Sequence, residues 1–348
     1  MSQKPDEALL AALPQRLLPW FEEHRRELPW RRDREPYHVW VSEIMLQQTR
    51  VEAVRGYYER FLTELPTVAA LAQAPEERLL KLWEGLGYYS RARNLQKAAR
   101  EVVERHGGVF PSDYDAIRAL PGIGAYTAGA IASICFEQPT PAVDGNVLRV
   151  VSRLLAMDAP VTDETVRRAV TERLAAVYPA GHCGDFTQSI MELGATVCVP
   201  NGAPHCEECP LRDLCRACRA GTQRSYPVKA AKKPRRTEQR TVFILRCGDK
   251  TAVTRRPARG LLAGLWQLPD VSGELTAQEA LEQAAAWGVR PTEIERVVHR
   301  THIFTHVQWE LTGCYLRCGE TAHFSWFTDA ELREQVGLPT AYRQFLEE

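Results

Sequence analysis

Four cysteines fall in the run CVPNGAPHCEECPLRDLC: Cys198, Cys206, Cys209 and Cys215, spaced C-x7-C-x2-C-x5-C. Four thiolates this close together surround one metal centre, and the uneven spacing suits an iron–sulfur cluster. Zinc more often takes paired CxxC knuckles with a longer spacer. A zinc arrangement from Cys206, Cys209, Cys215 and Cys218 stays open, but it leaves Cys198 idle. Two carboxylates form a second candidate. Glu43 stands in the apolar stretch VWVSEIMLQ, where lost hydration favours the protonated acid. Asp144 stands in VDGNV just ahead of the apolar run VLRVVSRLL, where an N-cap and the helix dipole favour the anion. One acid and one anion suit cleavage through an oxocarbenium-like state. The plain alternatives are a helix cap and a surface glutamate. A third candidate is Leu120-Pro121-Gly122-Ile123-Gly124 before the Ala- and Gly-rich segment AYTAGAIA. Gly122 and Gly124 permit a tight hairpin whose amides meet an anion such as a phosphate. An ordinary helix–turn–helix uses the same residues.

Helices must position these groups. Residues 1–221 carry apolar side chains at three- and four-residue spacing, as in VWVSEIMLQQTRVEAVRGYYERFLTEL, with prolines between segments. Residues 222–239 are basic and poor in apolar side chains, and they read as a linker, either solvated or tracking DNA. Residues 240–348 change texture. RTVFILRC, KTAVTRR and HVQWELTGCYLRC read as strands, and TAQEALEQAAAW as a helix, so an α+β domain is expected there. The 348 residues give ample core for two domains, and zero formal net charge neither supports nor excludes a nucleic-acid partner. No apolar run reaches membrane-spanning length. Ten cysteines without an export signal point to reduced thiols and a cytoplasmic location.

The motifs SEIMLQQT, GLGYYSRARNL, LPGIGAYTA and VDGNV, followed by the four-cysteine loop, resemble the helix-hairpin-helix DNA glycosylases, and most closely the MutY-type adenine DNA glycosylases. The first cysteine gap is one residue longer than that family's usual six. The resemblance implies a multi-domain chain. An all-α helix-hairpin-helix glycosylase domain over 1–221 would comprise a helical barrel with the hairpin at 29–135 and an iron–sulfur subdomain from 1–28 and 136–221. A Nudix-like α+β domain would span 240–348. It implies a [4Fe–4S] cluster on the four cysteines. It implies that Glu43 protonates the departing adenine at N7, and that Asp144 stabilises the sugar cation with Tyr126 and Asn146 beside it. Trp30, Arg31, Leu46 and Gln188 would line the adenine pocket, although Gln188 also reads as a surface residue. Gln48, Thr49, Leu86 and Tyr88 would meet the opposite base, with Tyr88 wedged into the stack, although Tyr88 also reads as a core aromatic. Phe304-Thr305-His306 stands where the family usually carries Phe-Ser-His and would read 8-oxoguanine; a β-turn is the plain alternative.

The Nudix-like match is clearest in RPARGLLAGLWQLPD, but ALEQAAAWG carries a single Glu282 where a working pyrophosphatase needs several carboxylates for metals. Arg212, Arg216 and Arg219 near the cysteines would meet phosphates or water. The implied function is a monofunctional glycosylase acting, as a monomer, on duplex DNA with adenine opposite 8-oxoguanine or guanine. Two rivals are an endonuclease III-like glycosylase and lyase for oxidised pyrimidines, and a non-catalytic iron–sulfur DNA-binding protein. Tyr126 separates the first pair of readings, because endonuclease III-type enzymes place a lysine there that forms a Schiff base. A phenol cannot do so, and borohydride added during turnover is expected to leave the chain free of covalent DNA.

Overall fold

The computed structural model describes residues 4–230, 234–319, 321 and 323–347. The chain divides into two compact units, Met1–Gln73 with Asn94–Ala231, and Ala74–Arg93 with Lys232–Glu348. Among the described residues no helix is long and apolar enough to cross a membrane.

The first unit is built of helices. Helix α1 (Leu13–His24) buries Leu13, Leu17, Trp20 and Phe21, a stripe repeating every three or four residues. Helix α2 (Pro36–Leu46) starts on a proline and buries every position from Tyr37 to Met45 except His38. A helix apolar on nearly every side is enclosed, so Glu43 is carried inside with it. Helix α3 (Ala125–Phe136) is buried from Thr127 to Ile134. Its small side chains allow close contact: a Cβ on Gly129 would stand 2.4 Å from the Pro141 carbonyl oxygen. Helices α4 (Gly145–Leu155) and α5 (Cys183–Thr196) share a core with α1, in which Val150, Val151, Leu154, Phe186, Ile190 and Leu193 pack on Leu13, Leu17 and Phe21. Helix α6 (Arg216–Arg219) is a single turn that follows the cysteine loop.

The second unit holds a mixed sheet. Its strands are β1 (Arg236–Cys247), β2 (Lys250–Arg255), β3 (Trp266–Gln267), β4 (Asp270–Ser272), β5 (Glu293–Ile303), β6 (Val307–Arg317) and β7 (Ser325–Thr328). The order is β3-β2-β1-β6-β5, with β4 on β1 and β7 on β2. Strands β1 and β6 run parallel in unbroken register from Arg236↔Val307 to Arg246↔Arg317. In β1 the alternation places Val242 and Ile244 in one core and Phe243 and Leu245 in another, so both faces are covered. Helix α7 (Ala277–Ala286) opens with a capping box between Thr276 and Glu279. The basic stretch 222–239 ends inside β1, because pairing with β6 begins at Arg236. Its Lys232 and Lys233 lie outside the described residues.

One close approach ties the fold to the candidate site. A Cβ on Gly194 of α5 would stand 2.6 Å from Asn146 Cβ and 3.1 Å from Asn146 Cα. The backbone of α4 cannot retreat without unpacking its buried face. Gly194→Ala is therefore expected to cost about 1–3 kcal/mol, read as a lower urea midpoint with unchanged slope.

Candidate active site

The two carboxylates come from the first unit, and the hairpin helix joins them. Tyr126 Oη donates to Glu43 Oε2 at 2.6 Å. Glu43 is 7% exposed. Asp144 is the N-cap of α4 and accepts from the Val147 N–H at 2.8 Å through Oδ1 and from Asn146 Nδ2 at 2.7 Å through Oδ2. Arg149, one turn along α4, fixes the asparagine: its Nη2 donates to Asn146 Oδ1 at 2.8 Å and to the Gly194 carbonyl at 2.7 Å, and its Nε to the Cys198 carbonyl at 2.7 Å. Thus Tyr126 is joined to Glu43 and Asn146 to Asp144, and the charge of Asp144 acts on Glu43.

Burial pushes the Glu43 carboxyl up to about 7; the Tyr126 hydroxyl and the Arg31 charge pull it down, and Asp144 pushes it further up. Near neutral pH the group holds a proton it can lose. Burial, then the charges of Glu43 and Asp144, raise the Tyr126 phenol well above 10, so it stays neutral. Asp144 differs from expectation. Burial raises it too, against the lowering by Val147, Asn146 and Arg149. An N-cap favours the anion most where water also reaches it freely, and this cap is half-buried.

The adenine-pocket candidates stand on three elements, and the charge of one of them, Arg31, acts on Glu43. Trp30 is buried edge-on to Tyr58, with centroids 5.5 Å apart. Leu46, the last residue of α2, is half-buried. Gln188 is half-buried on α5. Arg31 is held by Glu192, Nη2 to Oε2 at 2.8 Å, and stacks over Phe21 at 5.4 Å. Sequence reasoning missed Glu192 and Arg26. The Glu192 side chain is 0% exposed. It also accepts from Arg26 Nε at 2.6 Å, from Arg26 Nη2 at 2.9 Å and from the Arg26 N–H at 3.1 Å. Burial pushes its carboxyl up, but the hydrogen bonds and charges of Arg26 and Arg31 outweigh that and hold it down at about 2. The available signal was an acid inside SIMELGA, the same pattern that marked Glu43.

At the hairpin, Gly122 has φ +78°, and a Cβ there would stand 2.6 Å from Asn94 Cβ, so glycine is required twice over. Gly124 is the N-cap of α3 and has no side chain to satisfy the first-turn amides. Gln48 and Thr49 follow α2, with Gln48 exposed at φ +61° and Thr49 half-buried. In the second unit, Leu86, Tyr88, Phe304, Thr305 and His306 line one cavity of about 720 Å³. Phe304-Thr305-His306 is the turn between β5 and β6, closed by the Phe304 N–H to the Val307 carbonyl at 2.8 Å. Phe304 packs edge-on to Trp309, and the Tyr88 and Thr305 hydroxyls are hydrogen-bonded. Tyr88 is 49% exposed at φ +46°, so it is not a core aromatic. Glu282 on α7 is exposed and bonded to Gln278.

Cys198, Cys206, Cys209 and Cys215 line one cavity, joined by Cys218. Among the described residues, no three of His, Cys, Asp and Glu are grouped as ligands of a single ion. The donor set around the cavity fits an iron–sulfur cluster. All its metal-binding side chains are soft sulfurs, and the buried Arg153 places Nη1 3.2 Å from Cys198 Sγ, a positive charge suited to thiolates. Burial, then mutual repulsion, raises the thiols of Cys206 and Cys215; Cys209 rises to about 12. Two of the neighbouring arginines are engaged rather than free for phosphates: Arg216 pairs with Asp6 at 2.6 Å and Arg212 with Glu207. Arg219 is exposed.

Charge balance around Glu43 gives a pH test. Tyr126, Asp144 and Arg31 are the groups that act on it. A reaction needing protonated Glu43 slows as pH rises through about 7. Glu192→Gln removes the anion that neutralises Arg31, so the alkaline limb of a single-turnover pH profile is expected to move down by about one unit. Glu192 also contributes stability that is present above pH 4.5 and lost as pH falls toward 2, because its folded carboxyl lies below the unfolded value.

Residues 41–176 match the family of HhH-GPD superfamily base excision DNA repair proteins, and residues 241–348 match the NUDIX domain. The chain is 37% identical to the adenine DNA glycosylase of Rattus norvegicus over 361 residues, covering 87% of this chain and 70% of the relative. It is 32% identical to that of Buchnera aphidicola subsp. Schizaphis graminum, covering 96% of this chain and 97% of the relative. Among solved structures, a thermostable thymine-DNA glycosylase aligns with TM-score 0.55 at 28% identity, over 62% of this chain and 98% of that one. A trapped endonuclease III–DNA covalent intermediate aligns with TM-score 0.53 at 25% identity, over 64% of this chain and 99% of that one. With a helical HhH-GPD domain ahead of a Nudix domain with a mixed sheet, the chain belongs to the adenine DNA glycosylase family.

Proposed function

We propose that the chain hydrolyses the N-glycosidic bond of adenine paired with 8-oxoguanine or guanine in duplex DNA, as the first step of base excision repair. The carrying observation is the Tyr126–Glu43 contact of 2.6 Å beside the capped Asp144. The adenine leaves the stack and enters the site, since a stacked base is out of reach. Tyr126 donates to Oε2 of Glu43. The carboxyl proton therefore rests on Oε1, and that oxygen delivers it to N7 of the departing base. Asp144 stabilises the oxocarbenium-like sugar, and water completes hydrolysis. Tyr126 offers no amine, so no Schiff base forms and the enzyme is monofunctional.

Trp30, Arg31, Leu46 and Gln188 hold the base, with Glu192 behind Arg31. Gln48, Thr49, Leu86 and Tyr88 meet the opposite base, Phe304-Thr305-His306 reads 8-oxoguanine, and the amides after Gly122 and Gly124 take a phosphate. Cys198, Cys206, Cys209 and Cys215 hold a [4Fe–4S] cluster, which when bound supplies a rigid tie for the loop that follows α5. In this reading residues 1–221 catalyse, 222–239 connect, and 240–348 recognise the lesion, in a cytoplasmic monomer.

The test is release of free adenine from a duplex with adenine opposite 8-oxoguanine. Asp144→Asn is expected to slow it at least about 10²-fold in single turnover. A wild-type rate in that variant overturns the proposal. Thr305→Ala and His306→Ala are expected to weaken the preference for 8-oxoguanine over guanine while leaving the slower rate opposite guanine nearly unchanged.

A further inference from the structure

The cysteine cavity holds one thiol more than a four-cysteine cluster uses. Cys218 lines it together with Cys198, Cys206, Cys209 and Cys215. Cys206 and Cys218 are neighbours in that lining: the charge of Cys218 acts on Cys206, and the charge of each acts on Cys215. The two cysteines sit on unequal supports. Cys206 opens a three-residue turn, Cys206–Glu208, at the end of the lengthened C-x7-C loop, which passes through Gly202 at φ +77°. Cys218 lies on α6, which is anchored by Ala217 at 0% exposure and by the Thr222 N–H to the Ala217 carbonyl at 2.8 Å. A hydrogen bond to Cys206 Sγ comes from Gln223 Nε2 at 3.7 Å, so no strong donor fixes that sulfur in place.

We infer that Cys218 is a reserve ligand of the iron–sulfur site, able to take over the iron that Cys206 binds. The inference rests on the proposed cluster and goes beyond it. Both thiols line the same cavity, so a metal held there has either sulfur available to it. The exchange would need no oxidant: Cys218 would replace Cys206 as the sulfur ligand, and the proton that Cys218 gives up would be taken up by the released Cys206. The longer first gap thus leaves Cys206 at the end of an extended loop, with the helix-borne thiol of Cys218 in the same cavity.

The test uses the full chain purified without oxygen, with iron and sulfide counted per chain and the brown absorbance recorded. Wild type is expected to hold about four irons. Cys206→Ser is expected to retain more than half of the wild-type iron, Cys218→Ser nearly all of it, and the Cys206→Ser/Cys218→Ser double variant less than a tenth. Cys209→Ser, which has no spare partner, is expected to match the double variant. In loaded wild type, iodoacetamide is expected to alkylate Cys218; in loaded Cys206→Ser, Cys218 is expected to be protected. Cys206→Ala gives a second route to the same reading. Loss of iron from Cys206→Ser and Cys206→Ala as complete as from the double variant, or failure of both to give soluble loaded chain, overturns the reserve-ligand inference alone. Wild type without iron overturns the cluster proposal and this inference with it.

Discussion

A carboxylic acid enclosed by apolar side chains cannot give up its proton cheaply, and that constraint organises the first unit. Helix α2 is buried on nearly every side, so the single acid within it, Glu43, is desolvated as the helix packs. The Tyr126 hydroxyl satisfies one oxygen of that acid, which makes the burial tolerable. The same contact sets the position of α3 and therefore of the hairpin at its N-terminus. The small residues of α3 let it pack closely, Gly129 lying against the Pro141 backbone.

Helix α5 supports both sides of the site. Its Glu192 gathers Arg26 and Arg31 around one buried carboxylate, on the side proposed to hold the base. Two residues further, Gly194 presents a bare backbone to Asn146 and a carbonyl to Arg149, on the side that holds Asp144. The helix then delivers Cys198, whose carbonyl receives Arg149 and Arg153. Buried Arg149 thus connects the cysteine loop with Asn146 beside Asp144, and buried Arg153 ties the same loop to Gln223 and Tyr226. Losing a partner inside such a network leaves an unpaired buried charge, which is why its members matter beyond their individual bonds.

Chemistry-bearing groups with local spacing were legible in the chain: the cysteines, the LPGIG hairpin, the N-cap aspartate, and Glu43 as an acid in an apolar run. The change from helical to alternating periodicity marked the sheet, although β1 opens at Arg236 rather than at 240. Partners distant in sequence were not legible. Arg26 and Glu192 are separated by 166 residues, and nothing in either neighbourhood names the other. The direction of the Asp144 shift was misread because an N-cap is a local feature, whereas desolvation depends on what packs above it. Likewise Arg216 reads as a free surface cation until Asp6 is brought beside it.

The parallel pairing of β1 and β6 carries one more consequence. The first rung of that ladder joins Arg236, where the basic connector ends, to Val307, and the Arg236 N–H bonds to the carbonyl of His306. The connector is therefore stitched directly to the turn proposed to read the damaged guanine. Tension in the tether would be felt at that turn before it reached any other part of the sheet, which makes connector length a mechanical setting for the reading loop as well as a spacer.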